Sequence, residues 1–185
     1  MRSVKWLRSL ELKREECNSP WQRRMYRIWP QEWNAKDTVK PKRLLPPACL
    51  EVPVNSAIMS PKAGEVVTEL EDGTFRATGW AFAGGGASII RVEVSADGGK
   101  TWILATASDL EEDHARAWKQ TWAWTLWEAT IPVIKGKKEY ELQVRALDDM
   151  YNVQPVDPPQ VGTYNWNRSG YLNNSYFGTK FTVHE

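Results

Sequence analysis

The sequence has little net charge and few side chains that ligate metals. Its 185 residues contain 24 Lys and Arg against 23 Asp and Glu, so the formal net charge is only +1. Such a balance gives no reason to expect nucleic acid or an anionic membrane as a partner. The two histidines, His114 and His184, stand far apart without a Cys or carboxylate cluster at ligand spacing. Metal binding by the chain itself is therefore not predicted.

Long apolar runs and cysteines are also scarce. No segment approaches the ~20 apolar residues that a membrane-spanning helix needs. The basic N-terminus lacks the apolar stretch of a secretory signal. Cys17 and Cys49 are too few for a disulfide framework and have no metal-binding spacing. We therefore expect an intracellular protein, cytoplasmic or mitochondrial, with no membrane partner.

Complete catalytic motifs are absent from the sequence as well. It has no nucleophile elbow, P-loop or dinucleotide fingerprint. Three glycines at 84–86 follow a predicted strand and indicate a tight loop. Asp148 and Asp149 end another predicted strand, where Asp favours a turn, and the turn is preferred over a pair of catalytic acids.

Tryptophan, in contrast, is abundant. The chain has 11 Trp, each with a large apolar surface and one N–H that needs a partner. One small core cannot easily bury so many. Some of them are therefore expected at a contact with another domain or chain, or in a ligand groove.

Period-two patterns run through the second part of the chain. In residues 139–147 Tyr140, Leu142, Val144 and Ala146 alternate with polar side chains, which predicts a half-buried strand. Residues 89–104 combine a similar alternation with the turn sequence ADGGK and predict a hairpin. Further strands are predicted in residues 64–70, 74–84, 122–133 and 180–183, and one helical turn in residues 109–120.

This pattern predicts an all-β fold. Residues 52–185 should form an immunoglobulin-like antiparallel β-sandwich of about seven strands. Residues 1–51 form an extended N-terminal segment with too little periodic apolar sequence to fold alone. Within it, residues 3–12 show some alternation around Trp6 that favours a strand, and Arg23, Arg24 and Arg27 interleave with aromatic residues. The arginines are expected to pack on the aromatic rings or to bind an anion.

Several stretches resemble the sulfite oxidase family of molybdenum enzymes, which includes the molybdenum region of eukaryotic nitrate reductases. SVKWL at 3–7 is similar to the end of its molybdopterin-binding domain, and SPWQRRMYRI follows in the family order. GWAFAGGGASIIRVEVSADGGKTW, WAWTLWEATIPV, VRALDDMYNVQP and YNWNRSGYLNN resemble the family's dimerisation domain, an immunoglobulin-like sandwich. The resemblance implies that residues 1–51 are the tail of a molybdopterin domain and that residues 52–185 are the dimerisation domain.

The resemblance also implies functional residues. Ser3, Val4 and Lys5 match a triplet that contacts the phosphate end of the pterin, where Lys suits a phosphate. Arg168 adjoins Ser169, the position of the family's substrate-binding Arg. The molybdenum-ligating cysteine belongs to the upstream domain, so molybdenum-molybdopterin is not expected to bind this chain tightly. The dimer interface of the resulting homodimer is predicted to include Trp166, Asn167, Gly170, Asn173 and Asn174.

Two alternatives stay open at this point. The chain can be a stand-alone immunoglobulin-like binding module whose exposed tryptophans, such as Trp122 and Trp127, stack on a carbohydrate or peptide. It can also be part of a nitrate reductase instead of a sulfite oxidase, whose reaction converts sulfite to sulfate.

Overall fold

Two packed β-sheets make up the folded part of the molecule. The computed structural model describes residues 5–28, 46, 48–107, 120–156 and 170–184, and the helical turn predicted in residues 109–120 lies outside all of these but residue 120. A short π-helical turn (Trp21–Met25) precedes the strands. The described strands are β1 (Asn55–Ser60), β2 (Val66–Thr68), β3 (Thr74–Phe82), β4 (Ile89–Ser95), β5 (Ile103–Leu104), β6 (Thr106–Ala107), β7 (Thr125–Pro132), β8 (Glu139–Asp148) and β9 (Phe177–His184).

The sheets differ in size and strand direction. Sheet one has the order β1-β3-β7-β6, and its pairs are antiparallel. Sheet two has the order β2-β9-β8-β4-β5 and is antiparallel except for the parallel pair β2–β9. The predicted all-β sandwich is confirmed, and its immunoglobulin-like type stays a prediction. The described residues contain no helix long and apolar enough to cross a bilayer.

The core lies between the sheets, and β8 shows how alternation along a strand builds it. Tyr140, Leu142 and Val144 of β8 are buried, whereas Glu139 and Glu141 are exposed, as the sequence pattern predicts. Phe75 of β3 packs edge-on against Tyr140 at 5.2 Å and against Phe181 of β9 at 5.3 Å, measured between ring centroids. Such edge-to-face contacts add to the burial of apolar area, so this aromatic group fixes how the sheets face each other.

Gly79 sets the closest approach inside sheet one. A Cβ atom at this position would overlap the carbonyl oxygen of Ala57 and the ring of Trp127. The register between β1 and β3 shifts opposite it, between Ile58 and Ser60. Gly79 therefore lets both β1 and the Trp127 ring approach the backbone of β3, because a side chain at this position would push them away.

The predicted N-terminal strand is wrong in its described part. Residues 5–12 form no strand, and their side chains are exposed. Trp6 is 95% exposed and has a positive φ of 59°. The alternation predicted a buried face, but no described strand pairs with this segment, so it has no sheet on which to bury that face.

Candidate subunit interface

One end of the sandwich carries the Asn-rich segment, defined as residues 170–176. It begins at Gly170, whose positive φ of 71° suits a residue without Cβ, and runs directly into β9. Of the predicted interface residues, Gly170, Asn173 and Asn174 lie here. Trp166, Asn167 and the predicted substrate residue Arg168 lie outside the described residues.

A buried glutamine fastens the Asn-rich segment to both sheets. Gln154 is only 1% exposed. Its Oε1 accepts hydrogen bonds from Ser56 Oγ at 2.5 Å and from the Ala146 backbone N–H at 2.9 Å. Its Nε2 donates to the backbone oxygens of Asn174 at 3.1 Å and Ser175 at 3.3 Å. One amide thus joins β1, β8 and the Asn-rich segment.

Asn174 makes a second attachment within the chain. It is buried, and its Nδ2 donates to the Val54 carbonyl oxygen at 2.9 Å. Asn55 Nδ2 approaches the Asn173 carbonyl oxygen at 3.4 Å. The side chain of Asn174 therefore holds the segment in place, and its predicted part in a subunit interface stays a prediction.

The N-terminal segment reaches the same end of the sandwich. The rings of Tyr26 and Tyr171 lie 5.3 Å apart between centroids.

Arg27, which the sequence assigned to aromatic packing or anion binding, is instead buried and forms an ion pair with Glu16 at 2.6 Å. Its Nη1 also donates to the Pro46 carbonyl oxygen at 2.9 Å. The guanidinium lowers the pKa of the Glu16 carboxyl by hydrogen bonding to it. Arg27 therefore has a structural role.

Next to the Asn-rich segment, the outer face of sheet one is apolar. Trp80 lies directly opposite Leu126 in the β3–β7 register, and its ring meets the ring of Trp124 at 4.4 Å. Trp124 is 56% exposed and Leu126 is 54% exposed. We define the tryptophan face as Ala57, Trp80, Phe82, Trp124 and Leu126. Farther along the same strands the outer face becomes charged, with Arg76 bonded to Glu128 at 3.3 Å.

A groove of about 540 Å³ lies between the tryptophan face and the Asn-rich segment and is lined by residues of both. Ala57 and Trp80 line it on one side, and Asn173, Ser175 and Tyr176 line it on the other. Exposed apolar side chains that form a continuous surface bordered by polar groups are typical of a protein contact site. Exposed Trp side chains match the sequence-based expectation of a contact, although Trp127 is in the core at 2% exposure. Its predicted role as an exposed stacking residue is therefore wrong, because its position on β7 points inward.

Gln154 was missed by sequence reasoning. Nothing in VQP distinguishes a buried glutamine from a solvated one, because its partners come from residues up to 99 positions away. Asp148 was interpreted as a turn residue, and its Oδ1 accepts from the backbone N–H groups of Met150 at 3.0 Å and Asn152 at 2.8 Å. These bonds fix the turn that leads to Gln154.

Of the three residues expected near the pterin phosphate, the structure describes one. Lys5 is exposed, and Ser3 and Val4 lie outside the described residues. Hydrogen bonds from Ser19 lower the pKa of the exposed Cys17 thiol, and burial raises the pKa of the Cys49 thiol. Within the described part of the chain, no three His, Cys, Asp or Glu side chains lie close enough to hold a metal ion.

Comparison with known proteins places the chain in a family. A family model described as the Mo-co oxidoreductase dimerisation domain matches residues 47–184. The chain belongs to this family. By that description, it is a domain of molybdenum-cofactor oxidoreductases.

Three relatives show how much of a longer protein the match covers. The mitochondrial sulfite oxidase of Homo sapiens is 40% identical over 177 residues, which are 95% of this chain and 30% of the relative. The sulfite oxidase of Arabidopsis thaliana is 35% identical over 95% of this chain and 42% of its own length. The NAD(P)H nitrate reductase of Hordeum vulgare is 31% identical over 98% of this chain and 20% of its own length. The chain thus spans less than half the length of each of these relatives.

One solved structure was also compared. The chain is 27% identical in sequence to a chain in the crystal structure of the sulfane dehydrogenase SoxCD from Paracoccus pantotrophus. The match covers 68% of this chain and 29% of the SoxCD chain. Its TM-score is 0.45.

Proposed function

We propose that this chain is the dimerisation domain of a sulfite-oxidase-like molybdenum oxidoreductase and that it forms a homodimer through the tryptophan face and the adjoining groove. The observation that carries the proposal is a continuous apolar surface, with Trp124 and Leu126 each more than half exposed, beside a segment fixed by Gln154. A subunit contact buries such surface and gains from rigid aromatic anchors.

The chemistry of the complete enzyme would belong to an upstream molybdopterin domain. In this proposal sulfite is the parent substrate, because sulfite oxidases are among the relatives at 35–40% identity, while a nitrate reductase is at 31%. Lys5, with Ser3 and Val4, would contact the phosphate end of the pterin, and Arg168 would lie near the substrate anion. The chain alone would be catalytically silent, and we propose an intracellular location for the enzyme, as the mitochondrial relatives suggest.

The dimer is tested by light scattering on the purified chain and on Leu126→Glu. A two-fold interface repeats the substitution, so each dimer buries two unpaired carboxylates. An uncompensated buried charge costs roughly 3–5 kcal/mol, which corresponds to a dissociation constant more than about 100-fold weaker. The matched control is Val66→Glu on β2, since Val66 is 61% exposed but belongs to sheet two.

The expected result is a dimer for the parent chain and for Val66→Glu, and a monomer for Leu126→Glu. If the folded chain stays monomeric at high concentration, the proposed dimer is incorrect. A monomer that instead binds a glycan, with loss of binding in Trp122→Ala, would establish the alternative of a stand-alone module. Trp122 is the suitable residue for that test because it is 55% exposed.

A further inference from the structure

On the outer face of sheet two, a buried carboxylate lies between two arginines. Glu93 of β4 is 8% exposed. Its Oε2 accepts a hydrogen bond from Arg145 Nε at 2.7 Å, and its Oε1 accepts one from Arg91 Nη2. Both oxygens of the carboxylate are thus engaged, and one negative charge faces two positive ones. Among the described ion pairs, Glu93 is the one carboxylate that contacts either guanidinium.

Arg145 is held rigidly in place. Its guanidinium lies 4.0 Å above the centroid of the Trp102 ring. Trp102 is itself fixed, because its Nε1 donates to the Gly99 carbonyl oxygen at 3.1 Å and its ring meets Tyr176 edge-on at 5.4 Å. A planar donor that is already ordered loses little side-chain entropy when it binds a ligand.

The contacts to described residues use only some of the donors of the two guanidinium groups. Each carries five N–H bonds. Within the described residues, Arg91 uses Nη2 with Glu93, and Arg145 uses Nε with Glu93 and Nη1 with the Tyr176 hydroxyl at 3.4 Å. Arg91 is also 54% exposed at its side chain, so it is open to solvent and to a ligand.

These arginines line a cavity with apolar walls. The cavity holds about 230 Å³ and is bordered by Ala146, Leu147 and Val153 in addition to Arg91, Arg145 and Tyr176. Glu93 also borders it, and both of its carboxylate oxygens already accept hydrogen bonds from the two arginines. This volume is below the range of roughly 300–1,000 Å³ that is common for drug-sized ligands. Guanidinium donors beside aliphatic walls suit a molecule with one carboxylate and a small apolar body, because the fork of an arginine matches a carboxylate in two hydrogen bonds.

We propose that this cavity binds a small carboxylate, with its oxygens on Arg91 and Arg145 and its apolar part against Leu147 and Val153. The carboxylate can come from a free organic acid or from the C-terminus of a peptide that ends in an apolar residue. Both sources present the same chemistry to the cavity. The proposal does not require the subunit interface, because neither Arg91 nor Arg145 lines the groove or belongs to the tryptophan face, although Tyr176 borders both the groove and the cavity.

The test is a titration of the full chain followed by NMR at the indole N–H of Trp102. The ligands are benzoate, N-acetyl-leucine as a peptide C-terminus, and sulfate as a tetrahedral anion, at constant ionic strength. We expect saturable shifts with the two carboxylates. Arg91→Gln should weaken binding about tenfold or more, because it removes charge-assisted hydrogen bonds. Tighter binding of N-acetyl-leucine than of benzoate would indicate the peptide source, and the reverse order a free acid.

The matched control is Arg76→Gln, which removes an exposed arginine paired with Glu128 on sheet one. Its affinities should equal those of the parent chain. Arg91→Lys keeps the charge without the fork and should bind more weakly than the parent, which separates geometry from charge if Arg91→Gln folds poorly. Shifts that never saturate, equal losses in Arg76→Gln, or sulfate binding at least as tight as benzoate would overturn the proposal.

Discussion

Replacing Gln154 with Ala should be among the more damaging single changes in this protein. The amide is 1% exposed and accepts hydrogen bonds from Ser56 Oγ and the Ala146 N–H while donating to two backbone oxygens of the Asn-rich segment. Truncation leaves two donors without their acceptor, and each buried orphan costs about 1–3 kcal/mol. With the lost packing of the side chain, we expect the free energy of unfolding to fall by about 3–5 kcal/mol.

The measurement is urea unfolding followed by tryptophan fluorescence at one protein concentration, with Gln143→Ala as the control. Gln143 lies on the outward side of β8, one of the same strands, and its removal should change the free energy of unfolding by less than about 0.5 kcal/mol. Gln154→Glu tests polarity at nearly constant shape, because its second oxygen would face the carbonyls of Asn174 and Ser175. A loss below about 1 kcal/mol in Gln154→Ala would refute the reasoning, since it would mean that the network carries little stability.

Two further predictions concern the close contact at Gly79 in β3 and the carboxylate of Asp97 in the turn between β4 and β5. Gly79→Ala should lower the free energy of unfolding by about 3 kcal/mol, because the new methyl group would overlap the Ala57 carbonyl and the Trp127 ring. The control is Gly178→Ala, whose new Cβ would have no heavy atom nearer than 3.5 Å. In the same urea assay it should change the free energy of unfolding by less than about 1 kcal/mol. Hydrogen bonds, mainly from Thr101 and to a lesser extent from Ser95, hold the pKa of the Asp97 carboxyl below its usual 3.8. The ionised carboxylate therefore stabilises the fold above about pH 4, and this stabilisation is lost as the pH falls. Asp97→Asn should therefore be less stable than the parent chain at pH 7, with a gap that narrows on acidification, and a gap independent of pH would contradict this explanation.

Most strands could be predicted from the sequence, some from strict alternation and others, such as β2, β3, β7 and β9, from β-favouring residues and turn signals. The pattern in residues 139–147 predicted β8, and the alternation with ADGGK predicted the β4–β5 hairpin. β1 was not predicted because NSAIMS has no clean alternation, and the register shift beside Met59 interrupts it. Trp6 shows the opposite error, since none of the described strands pairs with its segment.

The buried polar residues in the candidate sites could not be predicted from the sequence, and the reason is physical. Glu93 alternates with apolar residues, so the period-two rule assigns it to the solvent side, and it does lie on the outer face. It is nevertheless buried, because Arg145 from β8, 52 positions away, covers it. Gln154 likewise depends on Ser56, which is 98 positions away. Such pairs are created by sheet register, which a single sequence does not reveal.

Tyr176 connects the two proposed sites. Its side chain lines the groove beside the tryptophan face, and it also borders the cavity on sheet two, where its hydroxyl accepts a hydrogen bond from Arg145. A subunit that fills the groove and a carboxylate that fills the cavity would therefore share this residue. If dimerisation changes the affinity for the carboxylate by some factor, linkage requires that the carboxylate change the dimerisation constant correspondingly. The sandwich would then couple assembly to ligand binding through one tyrosine, without any change in its core.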